Sequence, residues 1–151
     1  MAQIHFRLAT RLAPDCVLAA LTDFGPRRAM VWPNIDAQHF KVHDQGPGWA
    51  VVTEGSSVAG GVWEREKYTW DANQGKVTVE TLDSNTWGPG SRWDYTITSV
   101  DGGGANIDVA VTRLGKGWKG RLIELGLMAA GPRMLRSQME QAMERSVTLG
   151  K

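Results

Sequence analysis

The chain has 151 residues and a mass of 16.5 kDa, with 17 basic against 16 acidic side chains and a formal net charge of +1. That length is one ordinary domain, able to bury about 70% of the surface its unfolded chain exposes, and 42% hydrophobic with 22% charged residues excludes whole-chain disorder. The balanced charge speaks against a dedicated nucleic-acid binder, whose affinity rests on many phosphate contacts, and leaves seven tryptophans as the compositional feature to explain.

Ile4, Phe6 and Leu8 alternate with His5 and Arg7 and predict a half-buried strand. Pro14 and Asp15 open a helix to about Asp23, with proline in the first turn and an early acid suited to the helix dipole. A second short helix over Arg27–Val31 must stop at Trp32-Pro33, because a residue before proline is pushed out of helical geometry. Six strands follow, around Phe40–Val42, Trp49–Glu54, Val62–Trp70, Lys76–Leu82, Arg92–Thr98 and Ile107–Val111. The turns between them include Gly46-Pro47-Gly48, a Gly55–Gly61 loop, Gly88-Pro89-Gly90 and Asp101–Gly104, so the strands pair antiparallel. From Gly117 the pattern is helical almost to the end. Leu125, Met128, Leu135, Met139, Ala142 and Ser146 predict its core face, opposite a charged stripe of Arg133, Arg136, Glu140 and Glu144. A second apolar stripe, Ile123, Leu127, Ala130 and Met134, precedes a kink predicted at Gly131-Pro132.

The single cysteine, Cys16, excludes an internal disulfide and in its apolar run reads as a buried structural thiol. No signal peptide and no apolar run of about 20 residues is visible, so the expectation is a soluble, cytoplasmic chain without a membrane span. His39 and His43 would stand about 13 Å apart along a strand, which argues against a shared metal; neither metal nor cofactor is expected. No P-loop, dinucleotide glycine fingerprint or Gly-x-Ser-x-Gly elbow occurs.

The order of elements, Trp32-Pro33, Glu54-Gly55-Ser56, Trp63-Glu64-Arg65, Pro89-Gly90-Ser91-Arg92-Trp93 and Lys119-Gly120-Arg121 together resemble START-like (SRPBCC) proteins. Within that superfamily the sequence is similar to the bacterial polyketide cyclase/dehydrase-like branch. The resemblance spans essentially the whole chain and implies a single START-like domain over residues 1–151. It implies an α+β helix-grip fold: a curved seven-stranded antiparallel sheet wrapped around a long C-terminal helix, with two short helices after strand 1. Between sheet and helix it implies a cavity for a hydrophobic or amphipathic ligand.

Strand parity sorts the side chains. Ile4, Phe6, Leu8, Phe40, Val42, Trp93, Tyr95, Ile97, Ile107, Val109 and Val111 are expected inward. The strand 62–70 is ambiguous; its even phase carries more apolar and aromatic residues and would bring Glu64, Glu66 and Tyr68 inward, where like charges about 7 Å apart raise each other's pKa. The bland alternative puts both acids at a wet rim beside Arg65 or Lys67. Candidate ligand-binding residues are therefore Trp32, Phe40, Trp49, Glu64, Glu66, Tyr68, Trp93, Tyr95, Met128 and Met139. Trp87 is expected in a loop away from the cavity, and Trp118 at a solvated helix start among Arg113, Lys116, Lys119 and Arg121.

Three readings follow. The first is a binder of a small lipid, polyketide or aromatic metabolite. The second is a polyketide cyclase, aromatase or dehydratase using Glu64, Glu66 or Tyr68, with no catalytic set assigned. The third is a protein-interaction or homodimer module through residues 123–134.

Overall fold

A computed structural model of the chain describes residues 1–57 and 60–149. The elements run β1 (Ala2–Thr10), α1 (Pro14–Thr22), α2 (Arg28–Val31), a single 3-10 turn (Ala37–His39), β2 (Lys41–Gly46), β3 (Trp49–Ser56), β4 (Val62–Asp71), β5 (Lys76–Ser84), β6 (Arg92–Ser99), β7 (Ala105–Arg113) and α3 (Gly117–Leu149). The seven strands form one antiparallel, curved sheet in the order β1-β7-β6-β5-β4-β3-β2. From β2 to β7 successive strands are neighbours, while β1 lies against β7 at the edge opposite β2. The architecture is the expected α+β helix-grip. Of the predicted Gly55–Gly61 loop, Val58 and Ala59 lie outside the described residues.

The alternation read from the sequence decides which face is covered. On β1, Ile4, Phe6 and Leu8 are buried while His5 and Arg7 are exposed; on β7, Ile107, Val109 and Val111 are buried. The ambiguous strand takes its even phase. Glu64, Glu66 and Tyr68 are buried, while Arg65, Lys67 and Thr69 are exposed. A bulge where β4 leaves register with β5, between Arg65 and Glu66, makes Leu82 the extra residue. Thr81 and Ser84 therefore both turn inward with Leu82 exposed, since a bulge shifts the side-chain phase by one.

Helix α3 has 33 residues, about 50 Å at 1.5 Å per residue. Pro132 lies inside it without ending it. Its C-terminal half buries Leu135, Met139, Ala142 and Met143, largely as predicted. The N-terminal half does not follow the predicted face: Leu125 and Met128 are exposed, and the buried positions are Gly120, Glu124, Leu127 and Gly131. The reason is a close approach. A Cβ on Gly131 would sit 2.8 Å from Ile4 Cδ1 on β1 and one on Gly120 would run into the Thr86 backbone in the β5–β6 connection, so small residues are buried where larger ones were expected. Cys16 is exposed and not buried, because α1 turns Val17 and Leu21 to the core instead.

Candidate functional site: a cavity with two clamped acids and one unpartnered acid

Because α3 presses closely on β1, the inner face of β3–β6 is left standing away from it. The space is a cavity of about 320 Å³. Its apolar wall includes Trp87, Trp93, Val79, Leu127, Leu135 and Met139.

Besides Asn34, Ser56 and Gln138, the polar groups of this wall fall in three sets. At one end Arg28 is buried on α2, with its guanidinium 4.8 Å from the Phe24 ring centre, 5.2 Å from Tyr68 and 5.6 Å from Trp32. Its Nε donates to Glu54 Oε1 (3.0 Å), its Nη2 to the Tyr68 hydroxyl (2.7 Å) and its Nη1 to the Leu21 carbonyl (2.8 Å). Tyr68 in turn donates to Glu54 Oε1 at 2.9 Å, closing a triangle. At the other end Arg113 and Glu64 form a two-pronged pair, Nη1 to Oε2 at 2.7 Å and Nη2 to Oε1 at 2.8 Å, and Thr81 donates to Glu64 Oε2 at 2.9 Å. The Arg113 guanidinium lies over Trp87 (4.8 Å) and Trp93 (5.2 Å). Burial opposes the charge of both arginines, but Glu54 beside Arg28 and Glu64 beside Arg113 outweigh it and hold both above the usual guanidinium value.

Glu66 lies between these clamps. It follows Glu64 and precedes Tyr68 on the inward row of β4 and lines the cavity. Among the described residues, no group donates a hydrogen bond to its carboxyl. Burial, then the nearby Glu64 and Glu54, pushes the carboxyl well above its usual range, and Arg113 and Arg28 pull back less. A neutral carboxylic acid is the form this environment favours. The Tyr95 hydroxyl also has no hydrogen-bond partner among the described residues, and burial followed by Glu66 raises its pKa. Its ring stacks on Trp93 with centroids 6.0 Å apart. Among the described residues the cavity wall thus holds three carboxyls and two guanidiniums, and the Tyr95 phenol lines it together with the odd carboxyl.

Of the residues expected at a ligand, Trp32, Glu64, Glu66, Tyr68, Trp93, Tyr95 and Met139 line this cavity. Three do not. Phe40 is half-buried against the core beyond the 3-10 turn, and Trp49 starts β3 at the β2–β3 hairpin, where its indole covers Gly46. Met128 points outward because α3 is rotated by its glycines. Trp87, expected away from the cavity, is buried in its wall; a bridge to Gly115 draws its loop under α3. Arg113 belongs to no surface cluster. Two of the missed residues carried a signal: period two extends Val109 and Val111 to Arg113, and Ala50 and Val52 to Glu54. Arg28 carried none, since its place depends on a tertiary triangle.

Among the described residues, no group of three or more His, Cys, Asp or Glu side chains is placed to hold a metal ion, and no helix is long and apolar enough to cross a membrane. No family model matches the sequence, and no curated protein matches it. Solved structures do match. A START superfamily protein from Mycobacterium smegmatis superposes with a TM-score of 0.76 at 9% identity, covering 97% of this chain and 98% of that one. The Zhui aromatase/cyclase from Streptomyces sp. R1128 gives 0.67 at 17% identity, over 97% of this chain and 87% of its own. Norcoclaurine synthase from Thalictrum flavum, solved in complex with dopamine and hydroxybenzaldehyde, gives 0.69 at 14% identity, over 99% and 88%. The START-like fold expected from the sequence is the fold the chain has.

Proposed function

We propose that the chain binds a small amphipathic molecule between the sheet and α3: an apolar or aromatic body carrying an oxygen acceptor such as a carbonyl or hydroxyl. The observation that carries this is that Glu66 and Tyr95 line the cavity between the two arginine–glutamate clamps with no hydrogen-bond partner for carboxyl or hydroxyl among the described residues. A buried donor without a partner costs free energy, so a ligand that accepts from it gains what the empty site lacks. The volume suits a small ligand. The solved complex of norcoclaurine synthase with two aromatic molecules supports the same class by fold analogy.

Titration of purified protein with aromatic ketones, phenols and fatty acids, followed by tryptophan emission, tests this. Trp87 and Trp93 lie in the wall, so occupancy shifts their emission. Glu66→Gln keeps a donor and binds, whereas Glu66→Leu weakens an acceptor ligand about tenfold, the worth of one hydrogen bond of roughly 1.4 kcal/mol. No emission change with any probe, together with no small molecule carried through native mass spectrometry, overturns the reading.

A second reading is supported by the same carboxyl: cyclisation, aromatisation or dehydration of a polyketide-like substrate. Glu64 is clamped by Arg113 and Tyr68 is held by Arg28 and Glu54, so Glu66 is the group suited to proton transfer. The fold likeness to an aromatase/cyclase supports this class. Glu66→Gln would then lower turnover by about 10²–10⁴-fold while sparing binding. Normal turnover by that variant rejects the role.

A further inference from the structure

We propose that the exposed face of α3 between residues 116 and 136 docks on an anionic lipid bilayer, lying along the headgroups with Trp118, Leu122, Leu125 and Met128 at the acyl boundary. Those four side chains are 78%, 58%, 62% and 56% exposed. Their spacing of four, three and three residues puts them on one side of the helix, opposite the buried Gly120, Glu124, Leu127 and Gly131. A run of large apolar side chains on a solvent face marks an interaction surface.

The charge around this face chooses the partner. Residues 116–136 hold Lys116, Lys119, Arg121, Arg133 and Arg136, five of the 17 basic side chains, and only one of the 16 acidic ones, leaving the rest of the chain net acidic. That one acid, Glu124, is buried on the opposite side, 2.6 Å from the Met1 amino group and accepting from the Gly115 N–H at 3.2 Å. Among the described residues the face therefore shows solvent an apolar centre with basic flanks and no carboxylate of its own. Arg136 is paired with Glu140 at the far end of the segment, and Lys116 at the near end donates to the Ser84 carbonyl at 3.0 Å and stands 3.8 Å from Asp83.

An interfacial helix binds with this pattern: apolar side chains enter the acyl boundary, tryptophan sits at headgroup depth, and lysine and arginine meet anionic lipid. A second copy of the chain fits worse. A two-fold contact through this face would set two basic clusters against each other around the apolar centre. The expected homodimer stripe over 123–134 is also partly occupied, since Ile123, Leu127 and Met134 line the cavity. Nucleic acid satisfies the basic flanks but leaves three aliphatic side chains without a partner.

Vesicle flotation with the full chain tests this directly. Vesicles of phosphatidylcholine containing phosphatidylglycerol carry the protein up, vesicles of phosphatidylcholine alone do not, and raising salt to about 0.5 M releases it. The triple variant Trp118→Ser, Leu122→Ser, Leu125→Ser and the charge variant Lys119→Glu, Arg121→Glu, Arg133→Glu each lower the bound fraction roughly tenfold or more. Circular dichroism and melting confirm that both remain folded. Equal flotation with neutral and anionic vesicles, no flotation with either, or wild-type flotation by the triple serine variant overturns the proposal. So does a dimer in sedimentation that Leu125→Ser dissociates, or binding to a random DNA duplex where vesicles fail. The readout is independent of cavity ligand, so docking and ligand binding stand or fall separately.

Discussion

One sheet, read with one parity, presents two unlike walls to α3. Along β1 and β7 the inward row is Ile4, Phe6, Leu8, Ile107, Val109 and Val111, all buried, and the helix approaches closely enough that a Cβ on Gly131 would meet Ile4 Cδ1 at 2.8 Å. Along β3 and β4 the corresponding row holds Glu54, Glu64, Glu66 and Tyr68. The first wall excludes everything but its own side chains, which suits the close packing of interiors. The second tolerates charge because two arginines reach it from α2 and β7, and because the helix stands away from it. The helix-to-sheet distance on one side thus leaves a cavity on the other.

The largest effect is expected where that tolerance depends on a single partner. Arg113→Met leaves Glu64 buried with only Thr81 to serve it and should cost about 3–5 kcal/mol in urea unfolding. Adding Glu64→Gln should recover much of the loss, since the double variant buries no lone charge. An unchanged midpoint in the single variant would mean that the pair is not desolvated and that the two walls do not differ in this respect.

The next test attacks the dry wall. Gly131→Leu drives a side chain into Ile4 and should cost about 1–3 kcal/mol by overpacking, with the same change at exposed Gly126 nearly neutral. Equal effects at the two glycines would remove the close approach as the cause.

Glu66 sharpens the comparison through pH. Its folded-state pKa is raised by burial, then by Glu64 and Glu54, so between the unfolded and folded values the native state holds the extra proton. Stability from this site is therefore complete at low pH and falls as pH rises above the usual carboxyl range toward the folded value. Glu66→Gln removes that slope: melting scans should show the variant equal to wild type near pH 4 and more stable at pH 8, by on the order of 1 kcal/mol. A gap that widens on acidification would reverse the assignment. The smallest effect belongs to the outer face of α3, where Leu125→Ser should change stability by no more than about 0.5 kcal/mol.

Much of this contrast is legible in the chain. Alternation put Ile4, Phe6 and Leu8 on the inner face, and the even phase of β4 placed Glu64, Glu66 and Tyr68 there too. Misreading arose where burial is not apolarity. Gly120, Glu124 and Gly131 face the sheet, so a periodic search for apolar residues rotated the helix toward Leu125 and Met128. Arg113 continues an apolar strand row but was grouped with its basic neighbours in sequence. That Glu64 is clamped and Glu66 is not is a tertiary fact: the deciding guanidinium comes from β7, 49 residues from Glu64.

The return of β7 to β1 also sets a timetable. Ala2 pairs with Arg113, so β1 leaves the ribosome long before β7, its neighbour in the sheet, exists. At roughly 5–20 residues per second, about a hundred intervening residues keep Ile4, Phe6 and Leu8 waiting for several seconds or more, as an exposed apolar strand with open edges. α3 follows β7 in the chain and closes over them afterwards. The nascent chain is most vulnerable to mispairing in that interval, and the cavity comes into being only after α3 has emerged.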